Sequence, residues 1–199
     1  PAKKWPIKKW IDLANSIQKT YRVVFVGLES SITSAASKIG SNNCINLIGK
    51  TSLNDVIIIL SQSSCVVSND SGLMHVAAAL DRPVVGIYGS SSPEYTPPLI
   101  ENDKKIIMYQ NLSCSPCFKR TCPLQHTNCL NNISVDSVKE SISGLVRTAI
   151  DEYLEPYYEQ SYENQKLDRL IEEAQDKIEK LNERAMSIED IFDDLKTKV

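Results

Sequence analysis

The sequence predicts an α/β fold built on a doubly wound parallel sheet, followed by an acidic helical tail. Three observations carry this prediction. Short apolar runs rich in β-branched residues end at glycines, as buried parallel strands do. Amphipathic stretches alternate with these runs, and short polar turns join them. Beyond residue 156 the spacing of apolar residues changes to that of one long helix.

The first predicted elements are a helix, a strand and a second, shorter helix. An amphipathic helix covers residues 7–18, and the strand over residues 21–26 (YRVVFV) ends at Gly27. A short helix over residues 31–39 would close at Gly40, because glycine takes the left-handed conformation of a helix C-cap most easily.

A second series of elements begins at Ser52, which is predicted to cap a helix over residues 53–60. Asp55 lies three residues later and completes the pattern of a capping box. The series continues with a strand over residues 65–67, a polar turn over 68–72, a helix over 73–80 and a strand over 84–88.

The pattern dissolves between residues 90 and 133, which predicts a long functional loop or a small module. Helical spacing resumes over residues 135–150 after Ser134, a plausible N-cap. We therefore expect a lobe over residues 1–150, with a Cys-rich loop at 111–132, and a coiled-coil-like tail over 151–199. Steps of four and three separate the apolar residues of the tail, at positions 167, 171, 174, 178, 181, 185, 188, 192 and 195.

Composition and charge exclude several classes of protein. With 42% hydrophobic and 24% charged residues among 199, the chain is not disordered throughout. Its apolar runs are far shorter than the roughly 20 residues of a membrane-spanning helix. Residues 1–150 carry 15 basic and 10 acidic side chains, a net +5, whereas residues 151–199 carry 7 and 15, a net −8. An anionic ligand therefore belongs with the lobe, and no basic and aromatic pattern of a nucleic-acid binder is present.

The most informative segment is SNDSGLMH, residues 68–75, where a strand is predicted to pass into a helix. The first amides of a helix have no partner within it and the helix dipole adds positive charge, so a diphosphate can bind there. Gly72 would let a ligand approach the backbone, Ser71 adds a hydroxyl, and Asp70 ends its strand where α/β sheets bind ligands. His75 lies one turn after Ser71 on the same face. The simpler alternative is that Asp70 and Ser71 only cap the helix.

Three motifs in the same order resemble glycosyltransferase family 9. They are PAKKWP at residues 1–6, SNDSGLMHVAAALDRPVVGIYGSSSPEYTPPL at 68–99 and CSPCFKRTCPLQHTNCL at 114–130. The resemblance covers about residues 1–146 and leaves the tail out. It implies the C-terminal, Rossmann-like lobe of a two-lobed GT-B enzyme, which binds the nucleotide sugar ADP-heptose, while an N-terminal lobe outside this chain holds the lipopolysaccharide core acceptor.

The resemblance also implies a set of donor-binding residues. Lys3 would bind phosphate with Lys4 as its neighbour and substitute, and Glu29 would bind the ribose hydroxyls. Asp70 would bind the heptose. The full set is Lys3, Lys4, Glu29, Thr51, Ser52, Leu53, Asp70, Ser71, Gly72 and His75, in which residues 51–53 would lie near the adenine and the amides of Ser71 and Gly72 would hold the diphosphate.

The family's proposed catalytic base would lie in the N-terminal lobe, so we expect this chain alone to bind donor weakly and to transfer nothing. The chain has no Asp-x-Asp motif, which agrees with catalysis that requires no metal cofactor. The implied location is the cytoplasm, free or peripheral at the cytoplasmic face of the inner membrane. Two alternatives stay open: a family member that uses another nucleotide sugar, and a non-catalytic interaction module that self-associates through residues 157–199.

The cysteines of the third motif allow several interpretations. Four thiolates, or three with His126, could hold a structural zinc ion. Reduced free thiols fit a reducing compartment equally well, and disulfides are less expected there. The four residues of the candidate zinc site are Cys114, Cys117, Cys122 and Cys129.

Overall fold

Five parallel strands form two sheets in the computed structural model, which describes residues 2–28 and 43–196, with side chains up to residue 180. Glu29 and the predicted helix over residues 31–39 lie outside the described residues. In the first sheet β1 pairs with β2, and in the second the order is β3-β4-β5. The strands are β1 Val23–Phe25, β2 Cys44–Asn46, β3 Val66–Asn69, β4 Val84–Ile87 and β5 Lys105–Met108.

The helices predicted over residues 7–18, 53–60, 73–80 and 135–150 all form, and the structure adds strand β2 and a short helix over residues 128–131 that the sequence did not predict. Ser52 and Asp55 form the predicted capping box at the start of the second helix, and the Ser137 amide donates to Ser134 Oγ (3.0 Å) at the start of the last. The helices of the described residues are α1 Ile7–Ile17, α2 Leu53–Ser61, α3 Gly72–Ala79, α4 Asn128–Asn131 and α5 Val135–Lys196, and a 3₁₀ turn covers Asn102–Lys104. The prediction of a parallel-sheet α/β fold with a helical tail is confirmed.

Strand β5 lies within residues 90–133, for which the sequence predicts a long functional loop or a small module and no strand. Its four residues pair in parallel with the whole of β4, from Val84 opposite Lys105 to Ile87 opposite Met108. A run of four residues among serines and prolines gives too weak a periodic signal, because a strand this short is stabilised mainly by the neighbour with which it pairs.

Strand β4 lies at the centre of the packing, and all four of its residues are buried. Val85 and Ile87 pack into one apolar cluster with Trp5, Leu13 of α1 and Val138 of α5. Alternate residues of a strand face opposite sides of the sheet. Accordingly, Val84 packs into a second cluster that includes residues of α2 and α3, namely Val56, Leu60, Met74, Ala77 and Ala78. The sheet that carries β4 is thus covered on both faces, as parallel sheets are.

The chain divides into two compact units, residues 1–150 and 151–199. The second unit continues α5 and contains Pro156 within the helix. Several of its apolar side chains are exposed, among them Leu167, Ile171 and Ile178. These three belong to the regularly spaced apolar residues, here called the heptad seam, that predict a coiled coil. Within residues 2–28 and 43–196, no helix combines the length and the apolar character needed to cross a membrane.

Gly89 provides a test of how tightly the loop after β4 is packed. A Cβ atom at this position would lie 2.5 Å from the Ala2 carbonyl oxygen and 2.8 Å from Leu130 Cγ. Gly89→Ala is expected to lower the free energy of unfolding by about 1–3 kcal/mol, because neither the backbone oxygen nor the buried leucine can move freely. Urea unfolding followed by circular dichroism measures this change.

Gly144 of α5 is the matched control for Gly89, because a Cβ atom there meets no atom within 4 Å. Gly144→Ala is expected to raise the free energy of unfolding by up to about 1 kcal/mol through helix propensity. Equal effects of the two substitutions would contradict the close packing at Gly89.

Candidate functional site

Asp70 and Lys3 form an ion pair at the carboxyl end of β3. The Asp70 amide donates to the Ile87 carbonyl at the end of β4 (3.0 Å), which places Asp70 at the edge of the sheet. Lys3 Nζ lies 2.6 Å from Asp70 Oδ2. The Asp70 side chain is 6% exposed and that of Lys3 is 53% exposed, so a nearly buried carboxylate meets a lysine that solvent and ligands can reach.

The surroundings of Asp70 keep its carboxyl group ionised. Burial raises its pKa, but the hydrogen bond from Lys3, the nearby Ser91 hydroxyl, and the positive charges of Lys3 and His75 together lower the pKa below its usual value. The favourable interactions therefore outweigh desolvation. The site holds a negative charge that can accept hydrogen bonds from ligand hydroxyls.

Trp5 anchors the segment that carries Lys3. Its ring is 1% exposed and stands edge-on to Trp10, with centroids 5.2 Å apart. The Trp5 amide donates to Asn69 Oδ1 (2.8 Å), and its indole Nε1 donates to the Ile133 carbonyl (3.2 Å). These bonds fix the backbone two residues from Lys3 against the end of β3.

Ala2 holds the other side of the same segment. The Ala2 amide donates to the Arg120 carbonyl (3.1 Å), and the Ser90 amide donates to the Ala2 carbonyl (3.1 Å). The Cys-rich loop and the loop after β4 thus both bond to the residue before Lys3. Sequence reasoning did not find this function of the Cys-rich loop, because it depends on contacts between distant parts of the chain.

The N-terminus of α3 is open. Ser71 is its N-cap residue, but its side chain makes no capping hydrogen bond and instead lies 3.0 Å from Ser68 Oγ. Among the described residues, the amides of Ser71, Gly72 and Leu73 donate to no protein group. A Cβ atom at Gly72 would meet nothing within 4 Å. Amides without a partner among the described residues, at the positive end of a helix dipole, are groups to which an anion can bind.

His75 and Lys4 are the remaining basic side chains that the sequence placed here. His75 is part-exposed on α3, and its charge helps to lower the pKa of Asp70, so it lies near the carboxylate. Lys4 is exposed, and the described part of the chain shows no ion pair or hydrogen bond for it. The structure therefore brings Lys3, Asp70 and His75 together with the start of α3.

Residues 51–53 lead into α2, and their side chains differ in how accessible they are to a ligand. The Ser52 amide donates to Asp55 Oδ2 (2.8 Å) and the Asp55 amide donates to Ser52 Oγ (3.3 Å), so the polar groups of Ser52 serve the capping box. Hydrogen bonds from Ser52 also lower the pKa of Asp55. The Thr51 hydroxyl is buried without a described partner, and Leu53 is 63% exposed. Leu53 is thus the member of this group whose side chain a ligand can reach.

Three buried serines that the sequence did not assign to the site follow β4. Ser90, Ser91 and Ser92 are between 1% and 4% exposed. The hydroxyls of Ser90 and Ser91 have no hydrogen-bond partner among the described residues. Buried polar groups are normally satisfied, and of these two hydroxyls it is that of Ser91 that acts on Asp70, so the Ser91 hydroxyl is a signal of function. The run of three serines directly after an apolar strand is the sequence signal that could have indicated them.

The Cys-rich loop contains free thiols. Burial raises the pKa of Cys129, whereas backbone amides, first that of Thr127, lower the pKa of Cys122. In the part of the chain that the structure describes, no three His, Cys, Asp or Glu side chains converge on a metal position. The negative charges of Cys122, Cys114 and Cys117 also raise the pKa of Cys129, and the zinc site of Cys114, Cys117, Cys122 and Cys129 stays a prediction.

A parallel α/β lobe with open helix amides, a lysine and a buried carboxylate at one sheet edge is typical of proteins that bind phosphorylated ligands. The comparison with protein families agrees with this class. The model described as glycosyltransferase family 9 (heptosyltransferase) matches residues 1–128, and the chain belongs to this family. The family resemblance of the sequence motifs is confirmed.

Within this family, the chain is similar to proteins named as heptosyltransferases. The chain is 43% identical over 106 residues to lipopolysaccharide heptosyltransferase 2 of Salmonella typhimurium, which covers 50% of this chain and 30% of the relative. The structure of the Escherichia coli ADP-heptose LPS heptosyltransferase II matches 75% of this chain and 44% of its own, with a TM-score of 0.62 and 33% identity. The structure of E. coli heptosyltransferase WaaC with ADP matches 71% of this chain and 40% of its own, with a TM-score of 0.54 and 25% identity. The chain spans less than half the length of these proteins.

Proposed function

We propose that this chain is the donor-binding, Rossmann-like lobe of a GT-B enzyme that transfers L-glycero-D-manno-heptose from its ADP donor to the inner core of lipopolysaccharide. The observation that carries the proposal is that the amides of Ser71, Gly72 and Leu73, next to the Lys3–Asp70 pair, have no partner in the part of the chain that the structure describes. The names of the relatives, heptosyltransferase 2 and ADP-heptose LPS heptosyltransferase II, support the choice of sugar and acceptor. The covering of β4 on both faces supports a doubly wound lobe.

In this proposal the donor lies across the carboxyl edge of the strands. The diphosphate accepts hydrogen bonds from the amides at the start of α3 and from Lys3. The ionised Asp70 accepts hydrogen bonds from heptose hydroxyls, and His75 completes this side of the site. Glu29 binds the ribose, and the adenine lies against Leu53 near Thr51.

An inverting transfer needs a base beside the acceptor hydroxyl, orientation of the sugar, and stabilisation of the departing diphosphate. This chain supplies the last two. Negative charge grows on the diphosphate as the glycosidic bond breaks, and Lys3 with the N-terminus of α3 stabilises that charge. The base and the lipid-linked acceptor belong to the N-terminal lobe, and the acceptor would place the enzyme at the cytoplasmic face of the inner membrane.

The tail has a separate function in this proposal. Its heptad seam places Ile171 and Ile178 at a positions and Leu167 at a d position, and these side chains are exposed on the single helix. Exposed seams of this kind are covered by another helix in a coiled coil. We therefore assign residues 157–199 to self-association rather than to donor binding.

Isothermal titration calorimetry with the protein tests the donor assignment. ADP-heptose is expected to bind more tightly than ADP-glucose and more tightly than any UDP-sugar. Asp70→Asn is expected to weaken ADP-heptose binding about tenfold and to leave ADP binding nearly unchanged, because a neutral amide accepts weaker hydrogen bonds from sugar hydroxyls. Tighter binding of a UDP-sugar would refute the proposed donor.

A further inference from the structure

The Lys3–Asp70 pair poses a problem for ligand binding. The two side chains lie 2.6 Å apart and satisfy each other. The proposed function, on which this inference rests, requires Lys3 to contact the diphosphate and Asp70 to contact the sugar. When Lys3 turns towards phosphate, the carboxylate of Asp70 loses its strongest partner while its side chain is still 94% covered by protein. A buried carboxylate without a donor tends to take up a proton.

Ser91 is placed to solve this problem. Asp70 follows β3 and Ser91 follows β4, and these neighbouring strands are paired in parallel up to Asn69 opposite Ile87. Ser91 is 3% exposed, and its Oγ has no partner at normal hydrogen-bond geometry in the described residues. Its hydroxyl is nevertheless close enough to Asp70 to contribute to the lowered pKa of that carboxyl group. The Ser91 hydroxyl is therefore a buried donor beside the carboxylate, and no other described group engages it.

We propose that Ser91 is a positioning residue whose hydroxyl donates to the Asp70 carboxylate when Lys3 moves to a ligand phosphate. The exchange leaves every polar group satisfied: Lys3 with phosphate, Asp70 with Ser91 and a sugar hydroxyl. Asp70 then stays ionised and correctly oriented through the change of partners. Ser91 affects sugar binding through Asp70 and does not contact the nucleotide.

Ser90 is the matched control. It is also buried, at 1% exposed, and its Oγ also has no described partner. Its backbone is held by two bonds, from its amide to Ala2 (3.1 Å) and from the Phe118 amide to its carbonyl (2.7 Å). The Ser90 hydroxyl does not contribute to the lowered pKa of Asp70. Ser90→Ala thus removes an equivalent buried hydroxyl without affecting the carboxylate.

The first test needs no ligand. The Asp70 carboxyl group is titrated by ¹³C NMR in the unmodified protein, in Lys3→Met, and in Lys3→Met combined with Ser91→Ala or Ser90→Ala. The charged and titratable groups around Asp70 are Lys3, His75 and Tyr88. Burial and the negative charge of Asp70 raise the pKa of Tyr88 to about 12. In the Lys3→Met background, Ser91→Ala is expected to raise the pKa of Asp70 by about 0.5 above its value in Lys3→Met alone. Equal pKa values in the two double variants would overturn the proposal.

The second test measures how strongly the sugar adds to binding. In Ser91→Ala the ratio of ADP-heptose affinity to ADP affinity is expected to fall about tenfold, because one hydrogen bond to a charged group is lost. Ser91→Thr, which keeps the hydroxyl, restores the ratio, and Ser90→Ala leaves it unchanged. An equal loss of affinity for ADP and ADP-heptose would show that Ser91 contacts the nucleotide and would also overturn the proposal.

The pH dependence of binding separates this role from a purely structural one. A lowered pKa means that Asp70 is ionised above that pKa and that sugar binding is lost as the pH falls through it. In Ser91→Ala the acid limit of ADP-heptose binding is expected to move to higher pH, whereas a structural defect would lower affinity equally at every pH. If the unmodified protein binds neither ADP nor ADP-heptose, the proposed function fails, and the ligand-free titration still decides the role of Ser91.

Discussion

Lys3→Met in the whole enzyme is expected to lower kcat for heptose transfer about 100- to 1000-fold. Lys3 forms an ion pair with Asp70, which lies between the end of β3 and the start of α3. In the proposed complex Lys3 therefore lies beside the ligand diphosphate. The departing diphosphate gains negative charge in the transition state, so a lost cation costs more there than in the bound ground state. Steady-state transfer assays with saturating donor measure the effect.

Lys8→Met is the control for this substitution. Lys8 is exposed on α1, and the described residues include no ion pair for it. Its replacement removes one positive charge from the same part of the chain and is expected to change kcat less than about threefold, as is usual for surface charges. Similar losses for Lys3→Met and Lys8→Met would indicate a general charge effect and contradict a specific role for Lys3.

Trp5→Ala is expected to lower the free energy of unfolding by about 3–5 kcal/mol, because it empties a large volume in the main apolar cluster. The substitution also removes the indole donor to the Ile133 carbonyl and the edge-on contact with Trp10. Urea unfolding followed by far-ultraviolet circular dichroism measures the loss. It is the largest stability effect that we expect from one side chain near the site.

Trp5→Phe separates packing from hydrogen bonding. It keeps an aromatic ring in the cluster and loses the Nε1 donor, so we expect about one third of the loss caused by alanine. Leu124→Ala, at a side chain that is 58% exposed, is expected to cost less than about 0.5 kcal/mol. A Trp5→Ala loss as small as that of Leu124→Ala would contradict the central position of Trp5.

Local sequence signals predicted the parts of the fold that depend on neighbouring residues. The capping box of Ser52 and Asp55 needs only two residues at the right spacing, and it forms as predicted. The segment from Asp70 to His75 was recognised because a strand, a polar turn and a helix follow each other without interruption. The structure adds that Ser71 does not use its side chain as a cap, which leaves the amides of α3 open.

Other features depend on contacts between distant residues, and the sequence alone did not indicate them. Strand β5 is stabilised by pairing with β4, and its four residues carry little periodicity of their own. Ser91 gains its importance from a carboxylate 21 positions earlier in the chain and from its own burial.

The most direct test of the account is a titration of the ¹⁵N-labelled protein with ADP, followed by amide NMR shifts. The proposed cradle predicts that the largest shifts fall on Ser71, Gly72 and Leu73, whose amides have no protein partner in the described structure. Their hydrogen exchange is expected to slow as the diphosphate binds. Saturable ADP binding that leaves these three amides unshifted, with the largest changes elsewhere, would contradict the claim that they hold the diphosphate.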